Sequence, residues 1–365
     1  MEKKKVMVTL LIAIVIAIII LAALFIFNKK PKTSPSGELE ECKTLAYSGE
    51  GKTNIVFFAE KKEAEKYKNF FLTISPFNEN EKEFNFYYLE YSPECEIYNR
   101  VALLCYNKEI VKKASSCPND IIVVIKDEKS GIRSSSYMNV LSINKKLSLS
   151  VFPHEFAHAF ANLADEYVPA ELPRGSRNCV SDCNKFSVKD GCFEGCSKDT
   201  YFRSIDSGLM KSLQSSQFGK FNEDLILEKI SKSSKITGRV IEEASCQNKE
   251  YYLIEGNYSQ GKIENISKSI EGGCVGNNGA GSFSFSLILK NNEKYIGGEF
   301  NPEFIFTDTQ NDTQNQIEGS VDEREGMFLL KVPIISEAKA IEINKEGVMI
   351  NEISLEDIGG RPCRA

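Results

Sequence analysis

Residues 153–167 read "PHEFAHAFANLADEY" and contain both histidines of the 365-residue chain. His154 and His158 are four residues apart, so on a helix they share one face and can point their imidazole nitrogens at one ion. Glu155 completes the H-E-x-x-H pattern, in which the glutamate is the general base of a zinc hydrolase. Pro153 suits the first turn of such a helix, because its missing N–H would have no helical partner there. The stretch predicts a catalytic zinc site on a helix, and a chance pair of histidines is the alternative.

The third zinc ligand must be a carboxylate or a cysteine, because no other histidine exists and catalytic zinc usually has three protein ligands and one water. We predict Asp165, with Glu166 as the second choice. An unbroken helix would place either residue about 10 Å beyond His158 along its axis. The helix must therefore bend or end near Asn162, a residue type that tolerates the left-handed conformation. An ordinary acidic helix end or a calcium site is the alternative for the two carboxylates.

Short apolar runs surround this helix. "TNIVFFAE" (53–60) and "NDIIVVIKD" (119–127) predict strands that are buried on both faces, and residues 61–74 carry helical spacing. "SYMNVLSI" (136–143) predicts a third strand, and residues 222–232 predict a second helix. The pattern up to about residue 236 is therefore α/β.

The pattern of apolar and polar residues changes from about residue 237. Short alternating runs such as "GSFSFSLILK" and "GMFLLKVP" are separated by glycine, asparagine and aspartate. Such alternation is typical of antiparallel strands with one buried face. We expect an antiparallel β-sandwich over residues 237–365.

Residues 6–27, "VMVTLLIAIVIAIIILAALFIF", carry no charge and are long enough to cross a bilayer as a helix. We expect an uncleaved membrane anchor, because no small-residue cleavage site follows it. The remaining composition is that of a folded protein, with 42% hydrophobic and 26% charged residues in the whole chain. A formal net charge of −6 argues against a nucleic-acid partner.

Eleven cysteines indicate disulfides, and so an extracellular position for the chain beyond the span. Four of them lie in "CVSDC" and "CFEGC" within residues 179–196. Their spacing also fits a second, four-thiolate zinc site. We favour two disulfides, because oxidation outside the cell would compete with metal loading.

The stretch "HEFAHAFANLADEY" resembles the signature of the IgA-peptidase family of zinc metallopeptidases, H-E-F-G-H followed by L-A-D-E-Y. Ala157 and Asn162 depart from positions where that family commonly has small residues or glycine. Similar segments extend over about residues 53–232, and they include "YFRSIDSGLM", which resembles a Ser-x-x-Met turn. The resemblance implies these site residues: His154 and His158 as zinc ligands, Glu155 as general base, Met210 in an apolar turn beneath the metal, and Tyr167 as a candidate oxyanion donor.

The expected fold class is α+β: a zincin-like α/β catalytic domain, then an antiparallel β-sandwich, with an N-terminal transmembrane helix. The expected domains are 1–36 (anchor and linker), 37–236 (catalytic) and 237–365 (β-sandwich). The expected function is that of a membrane-anchored extracellular zinc endopeptidase, with residues 130–140 as an edge strand that pairs with an extended peptide substrate. The alternative is a non-catalytic surface binding or adhesion protein with a structural or vestigial metal site.

Overall fold

The computed structural model describes residues 40–186, 191–236, 246, 249–276, 279–311, 316–323 and 326–356. All of them belong to one compact unit, Leu39–Ala365. The predicted membrane span, residues 6–27, lies outside the described residues. None of the helices within the described ranges is long and apolar enough to cross a membrane.

Four α-helices and a larger number of strands make up the described part of the chain, so the α+β class is confirmed. The helices are α1 Lys61–Phe71, α2 Lys108–Ala114, α3 Val151–Ala161 and α4 Lys220–Ile236. The two predicted helices at 61–74 and 222–232 correspond to α1 and α4. The histidine-bearing helix is α3.

The strands are β1 Lys43–Ala46, β2 Thr53–Phe58, β3 Phe84–Leu89, β4 Glu96–Tyr98, β5 Ala102–Leu104, β6 Ile121–Lys126, β7 Ser134–Tyr137, β8 Val140–Asn144, β9 Phe193–Cys196, β10 Lys198–Arg203, β11 Glu250–Ser259, β12 Lys262–Gly272, β13 Phe283–Leu289, β14 Lys294–Phe300, β15 Phe304–Asn311, β16 Gln316–Glu323, β17 Gly326–Pro333, β18 Ala338–Lys345 and β19 Val348–Ser354. Eight of them form one sheet in the order β1-β3-β2-β6-β8-β7-β15-β16.

The strands at the centre of this sheet pair in parallel, and β2 and β6 are buried on both faces as predicted. Strand β2 pairs in parallel with β3 and β6, and β6 pairs in parallel with β8. Side chains alternate between two cores along β2: Ile55 and Phe57 belong to one cluster, Val56 and Phe58 to the other. Burial of both faces explains why these strands are continuous apolar runs in the sequence.

Two predictions about residues 130–143 are wrong. The predicted single strand at 136–143 is a tight hairpin, because Met138 adopts a left-handed conformation (φ 55°) between β7 and β8. The predicted edge strand at 130–140 is not at an edge, because β15 pairs with the free side of β7.

An aromatic core holds α3 against one face of the sheet. Phe152 and Phe156 of α3 pack on Phe71, with ring centroids 5.2 and 5.0 Å away. Each fully buried phenylalanine contributes about 1.5–3 kcal/mol. Every residue of α3 from Val151 to Phe160 is buried. The helix is therefore fixed on all sides by packing.

The chain beyond residue 249 builds two further antiparallel sheets, of order β12-β11-β17 and β14-β13-β18-β19. Their buried residues, among them Tyr251, Phe283 and Phe328, share a core cluster with Val56 of β2. Strands β15 and β16 instead extend the eight-stranded sheet. The domain boundary at residue 237 stays a prediction.

Candidate metal centre

Helix α3 brings the two histidine rings together inside the protein. The Nε2 atoms of His154 and His158 are 3.1 Å apart, and both side chains are buried. The spacing of four residues places both rings on one helical face. Two imidazole nitrogens therefore converge on one point, as the sequence predicted.

Backbone carbonyls orient both rings for metal binding. His154 Nδ1 lies 3.0 Å from the carbonyl oxygen of Leu209, and His158 Nδ1 lies 2.6 Å from that of Leu163. A carbonyl can only accept, so each Nδ1 carries the proton and donates. The Nε2 lone pairs are then free for a metal, which is the usual arrangement around metal-ligating histidines.

Helix α3 ends where the sequence requires it to end. Asn162 is its C-cap and adopts the left-handed conformation, with φ 52° and ψ 38°. Its side-chain Nδ2 donates to the Arg174 carbonyl at 3.0 Å, and its own carbonyl accepts from the Ser176 hydroxyl at 2.7 Å. The turn sends the chain back toward the histidines, and Asp165 Oδ1 comes to lie 3.4 Å from Nε2 of each ring.

The disulfide-rich loop holds the returning segment in place. Asn178 bridges the main chain of Ala164, accepting from its N–H at 2.7 Å and donating to its carbonyl at 2.8 Å. The Ser197 hydroxyl donates to the Asp165 carbonyl at 2.7 Å. The Cys179–Cys196 disulfide joins the two sides of this loop. Asp165 is therefore held in position by a loop that a disulfide closes.

Glu166, the second choice for the third ligand, points elsewhere. Its Oε1 accepts from the side-chain amides of Asn222 and Asn178 at 2.8 and 3.3 Å. Burial raises the pKa of Glu166 to about 7. Of the two adjacent carboxylates, the structure brings Asp165 to the histidines.

A fourth group, Asp308 of β15, completes the cluster and was not predicted. Its Oδ2 lies 3.4 Å from His154 Nε2 and 3.8 Å from His158 Nε2. One ligand atom from each of His154, His158, Asp165 and Asp308 lies within 4.8 Å of every other. Nothing local in the sequence marks Asp308, because its position depends on the pairing of β15 with β7.

The separations that involve the two histidine nitrogens are close to those of a tetrahedral metal site. Zinc–ligand distances of about 2.0–2.2 Å separate tetrahedral ligand atoms by about 3.3–3.6 Å. The measured separations to the two histidine nitrogens run from 3.1 to 3.8 Å. Both oxygens of Asp165 and Oδ2 of Asp308 are buried without a hydrogen-bond partner in the described chain. Such orphaned acceptors fit a bound cation, so the donor set can hold a metal ion.

The electrostatics of the cluster also favour a cation. Burial lowers the pKa of His154, but Asp165 and Asp308 outweigh this effect and hold the pKa well above its ordinary value. The two carboxylates thus attract positive charge into a site that excludes water. A divalent ion supplies this positive charge while the imidazole stays neutral.

Glu155 lies next to His154 and is completely buried. The Ser136 side chain interacts with its carboxylate and favours the ionised form, but this effect is smaller than that of burial. Burial, followed by the charge of Asp308, raises the pKa of Glu155 well above its ordinary value. A buried carboxyl group beside the histidines is of the type that serves as a general acid or base.

Tyr167 and Met210 are also close to the centre. The Tyr167 hydroxyl donates to Asp308 Oδ1 at 2.9 Å, and burial raises its pKa well above the ordinary value, so it remains a donor. Met210 is buried in the core, and its carbonyl accepts from the Glu166 N–H at 2.8 Å. The neighbouring Leu209 carbonyl is the one that orients His154. The role of Met210 as an apolar base for the metal stays a prediction.

Five disulfides are present in the described part of the chain: Cys42–Cys117, Cys95–Cys105, Cys179–Cys196, Cys183–Cys192 and Cys246–Cys274. The cysteines of residues 179–196 therefore form two disulfides, as predicted, and not a four-thiolate zinc site. Cys363 lies outside the described residues. The disulfides indicate an extracellular or secreted protein.

No protein-family model matches this chain, and neither does any curated protein. The resemblance to the IgA-peptidase family therefore stays a prediction. The functional interpretation depends on the geometry of the buried cluster.

Proposed function

We propose that this protein is a zinc-dependent endopeptidase, anchored in the cell membrane by its N-terminal segment, that hydrolyses peptides or proteins outside the cell. The observation that carries this proposal is the triangle of His154 Nε2, His158 Nε2 and Asp165 Oδ1, with sides of 3.1–3.4 Å, on the helix that also bears the buried carboxylate of Glu155. A zincin-like catalytic domain followed by a β-sandwich is part of the same proposal.

Zinc is the proposed ion because two imidazoles and a carboxylate are among its common donors and the spacing suits tetrahedral coordination. His154, His158 and Asp165 would hold it. When bound, zinc supplies a Lewis acid that activates water and polarises the carbonyl of the bond to be cut.

Glu155 is the proposed general base and acid. Its carboxylate would accept the proton of the attacking water and deliver it to the leaving amine. Tyr167 would donate its hydroxyl hydrogen to the carbonyl oxygen as negative charge develops there. Both groups are buried beside the histidines, and the Tyr167 hydroxyl already donates a hydrogen bond there, to Asp308 Oδ1.

The proposed location combines two observations. Five disulfides form in the described chain, which is typical of an oxidising compartment. The uncharged run at residues 6–27 precedes them in the sequence. Together they support an anchor followed by an extracellular enzyme.

A second candidate function is supported by Asp308. Four protein ligands with no free position are the usual composition of a structural zinc site, whereas catalytic sites keep one position for water. On this alternative the protein is a non-catalytic surface binding protein, and the metal only stabilises the fold. Glu155 favours the enzyme, because a structural site has no use for a buried carboxylate that is not a ligand.

The test is peptide hydrolysis by the purified full chain and by its Asp308→Ala variant, with zinc content measured for each. We expect one zinc per chain and new amino termini in a peptide library, blocked by a chelator. Glu155→Gln in each background is the matched control and should keep zinc while turnover falls by about 10²–10⁴-fold. Stoichiometric zinc without cleavage in either background would favour the structural role.

A further inference from the structure

Strand β15 lies where an extended peptide substrate would bind. It runs antiparallel to β7, with Ile305 opposite Tyr137, Phe306 opposite Ser136 and Asp308 opposite Ser134. Extended peptides are commonly recognised in this way, by main-chain pairing with the last strand of a sheet. The sheet would otherwise end at β7, beside the proposed metal.

Alternation along β15 directs Phe306 and Asp308 to the metal centre. Phe304, Phe306 and Asp308 share one face of the strand. The Phe306 ring stacks on the His158 ring with centroids 4.0 Å apart, and Asp308 joins the ligand cluster. Ile305, on the other face, packs in the large core behind the sheet. The strand thus covers the histidines with an aromatic ring and fills the fourth ligand position with a carboxylate.

The two oxygens of Asp308 contact two different groups of the proposed site. Oδ2 lies 3.4 Å from His154 Nε2, and Oδ1 accepts from the Tyr167 hydroxyl at 2.9 Å. A side-chain carboxylate has no scissile amide bond. It therefore engages these groups as a substrate carbonyl would, without the possibility of hydrolysis.

Strand β16 contains a residue that permits this arrangement. Gly319 lies directly opposite Asp308 in the β15–β16 pair. A Cβ atom at residue 319 would overlap Asp308 Oδ1, the Tyr167 hydroxyl and the Thr307 carbonyl oxygen. The glycine thus provides the space in which Asp308 meets Tyr167.

Part of the β15–β16 hairpin packs in a cluster of its own. Phe304, Phe306 and Val321 form a small cluster separate from the two large cores. Strand β16 is the outermost strand of the sheet and pairs only with β15 within the described residues. Because β15 and β16 lie at the end of the strand order, displacement of the hairpin would leave the pairing among the other six strands of the sheet intact.

We propose that the β15–β16 hairpin is an internal inhibitor that occupies the substrate cleft, with Asp308 as a displaceable fourth ligand, so that the intact chain is latent. This inference rests on the proposed endopeptidase function. Exchange of β15 for a substrate strand on β7 produces the active form. If chains with the hairpin in the cleft outnumbered chains with the cleft open by about 100 to 1, release of the hairpin would raise activity by up to about 100-fold.

The test compares the full chain with Asp308→Ala, Asp308→Asn and Gly319→Ala, each loaded with Co²⁺ in place of zinc. The first two variants remove the fourth ligand, and the third forces the hairpin away without altering any ligand. Thr307→Val is the matched control, because Thr307 is buried on the opposite face of β15 and its hydroxyl bonds to Ser320 across the hairpin. Readouts are the visible cobalt spectrum, the affinity for a dipeptide hydroxamate, and peptide cleavage by the zinc form.

We expect the cobalt d–d bands of the three variants to shift, because a water replaces the Asp308 carboxylate in a site that stays four-coordinate. We also expect these variants to bind the hydroxamate at least about tenfold more tightly and to cleave faster by a similar factor. The control should match the unaltered chain. Latency is refuted if the unaltered chain binds the hydroxamate and cleaves as well as the variants, and the peptidase proposal then survives. If the spectra and hydroxamate affinity change as expected but no form cleaves, the peptidase proposal fails, while Asp308 remains established as the blocking ligand.

Discussion

Replacement of Asn162 tests how the end of α3 creates the metal site. Asn162→Ala should destabilise the protein in two ways. A side chain with a Cβ and no local hydrogen bond costs about 1–2 kcal/mol in the left-handed conformation. The lost donation to the Arg174 carbonyl costs about 1 kcal/mol more. Asn162→Gly loses the hydrogen bond but avoids most of the backbone term.

The diagnostic result is which of the two variants has the larger free energy of unfolding. At an ordinary helical position alanine is more stable than glycine by about 1 kcal/mol. At residue 162 we expect the reverse, with the glycine variant about 1 kcal/mol more stable than the alanine variant in urea denaturation. In the alanine variant the end of α3 can relieve this strain by unwinding, which also moves Asp165. Zinc affinity should therefore be about fivefold lower in the alanine variant than in the glycine variant.

Equal stability of the two variants would contradict this reasoning. So would a glycine variant that is less stable than the alanine variant. Either result would mean that the left-handed turn at Asn162 does not set the position of Asp165. Zinc affinity measured by competition with a chromophoric chelator, in the same preparations, separates an effect on the metal site from an effect on the whole fold.

Three further predictions concern the support of the centre, its ionisation and its metal. Replacement of Cys179 and Cys196 by alanine should lower the free energy of unfolding by about 3 kcal/mol and weaken zinc binding. The same change at Cys95 and Cys105 should destabilise the fold but leave zinc affinity unaltered, and equal zinc affinities in both variants would refute the support role. Because burial raises the pKa of Glu166 from 4.5 to about 7, the metal-free fold should lose about 3 kcal/mol as pH rises from 4.5 to 7. Stability falls because the carboxyl group ionises at a lower pH in the unfolded chain than in the folded protein. If Glu166→Gln showed the same dependence of stability on pH as the unaltered chain, this prediction would be contradicted. Zinc at about 100 times its Kd should add about 2.7 kcal/mol to the stability, which thermal unfolding with and without a chelator measures. An equal effect of Mg²⁺ would argue against a nitrogen-rich site.

The parts of the site that were predictable from the sequence are local. The spacing of His154 and His158 requires only helical geometry, and the left-handed end at Asn162 follows from residue type and from the need to return Asp165. The buried strands β2 and β6 were predictable because burial on both faces leaves a continuous apolar run.

The remaining features depend on contacts between distant parts of the chain. Asp308 meets Tyr167 across 141 residues of sequence, and it is one of 51 acidic residues in the chain. Only the pairing of β15 with β7 distinguishes it, and strand pairing is set by tertiary context more than by local propensity. The hairpin at Met138 was missed because its turn contains neither glycine nor proline, so nothing local separates β7 from β8.

The most direct test of the central claim is anomalous scattering from crystals of the protein grown with Zn²⁺, recorded on both sides of the zinc absorption edge. We expect one strong anomalous peak, at about 2.0–2.2 Å from His154 Nε2, His158 Nε2 and a carboxylate oxygen of Asp165. Full zinc occupancy elsewhere with no peak between these residues, or histidine rings that face apart, would contradict the metal centre and the hydrolase proposed from it.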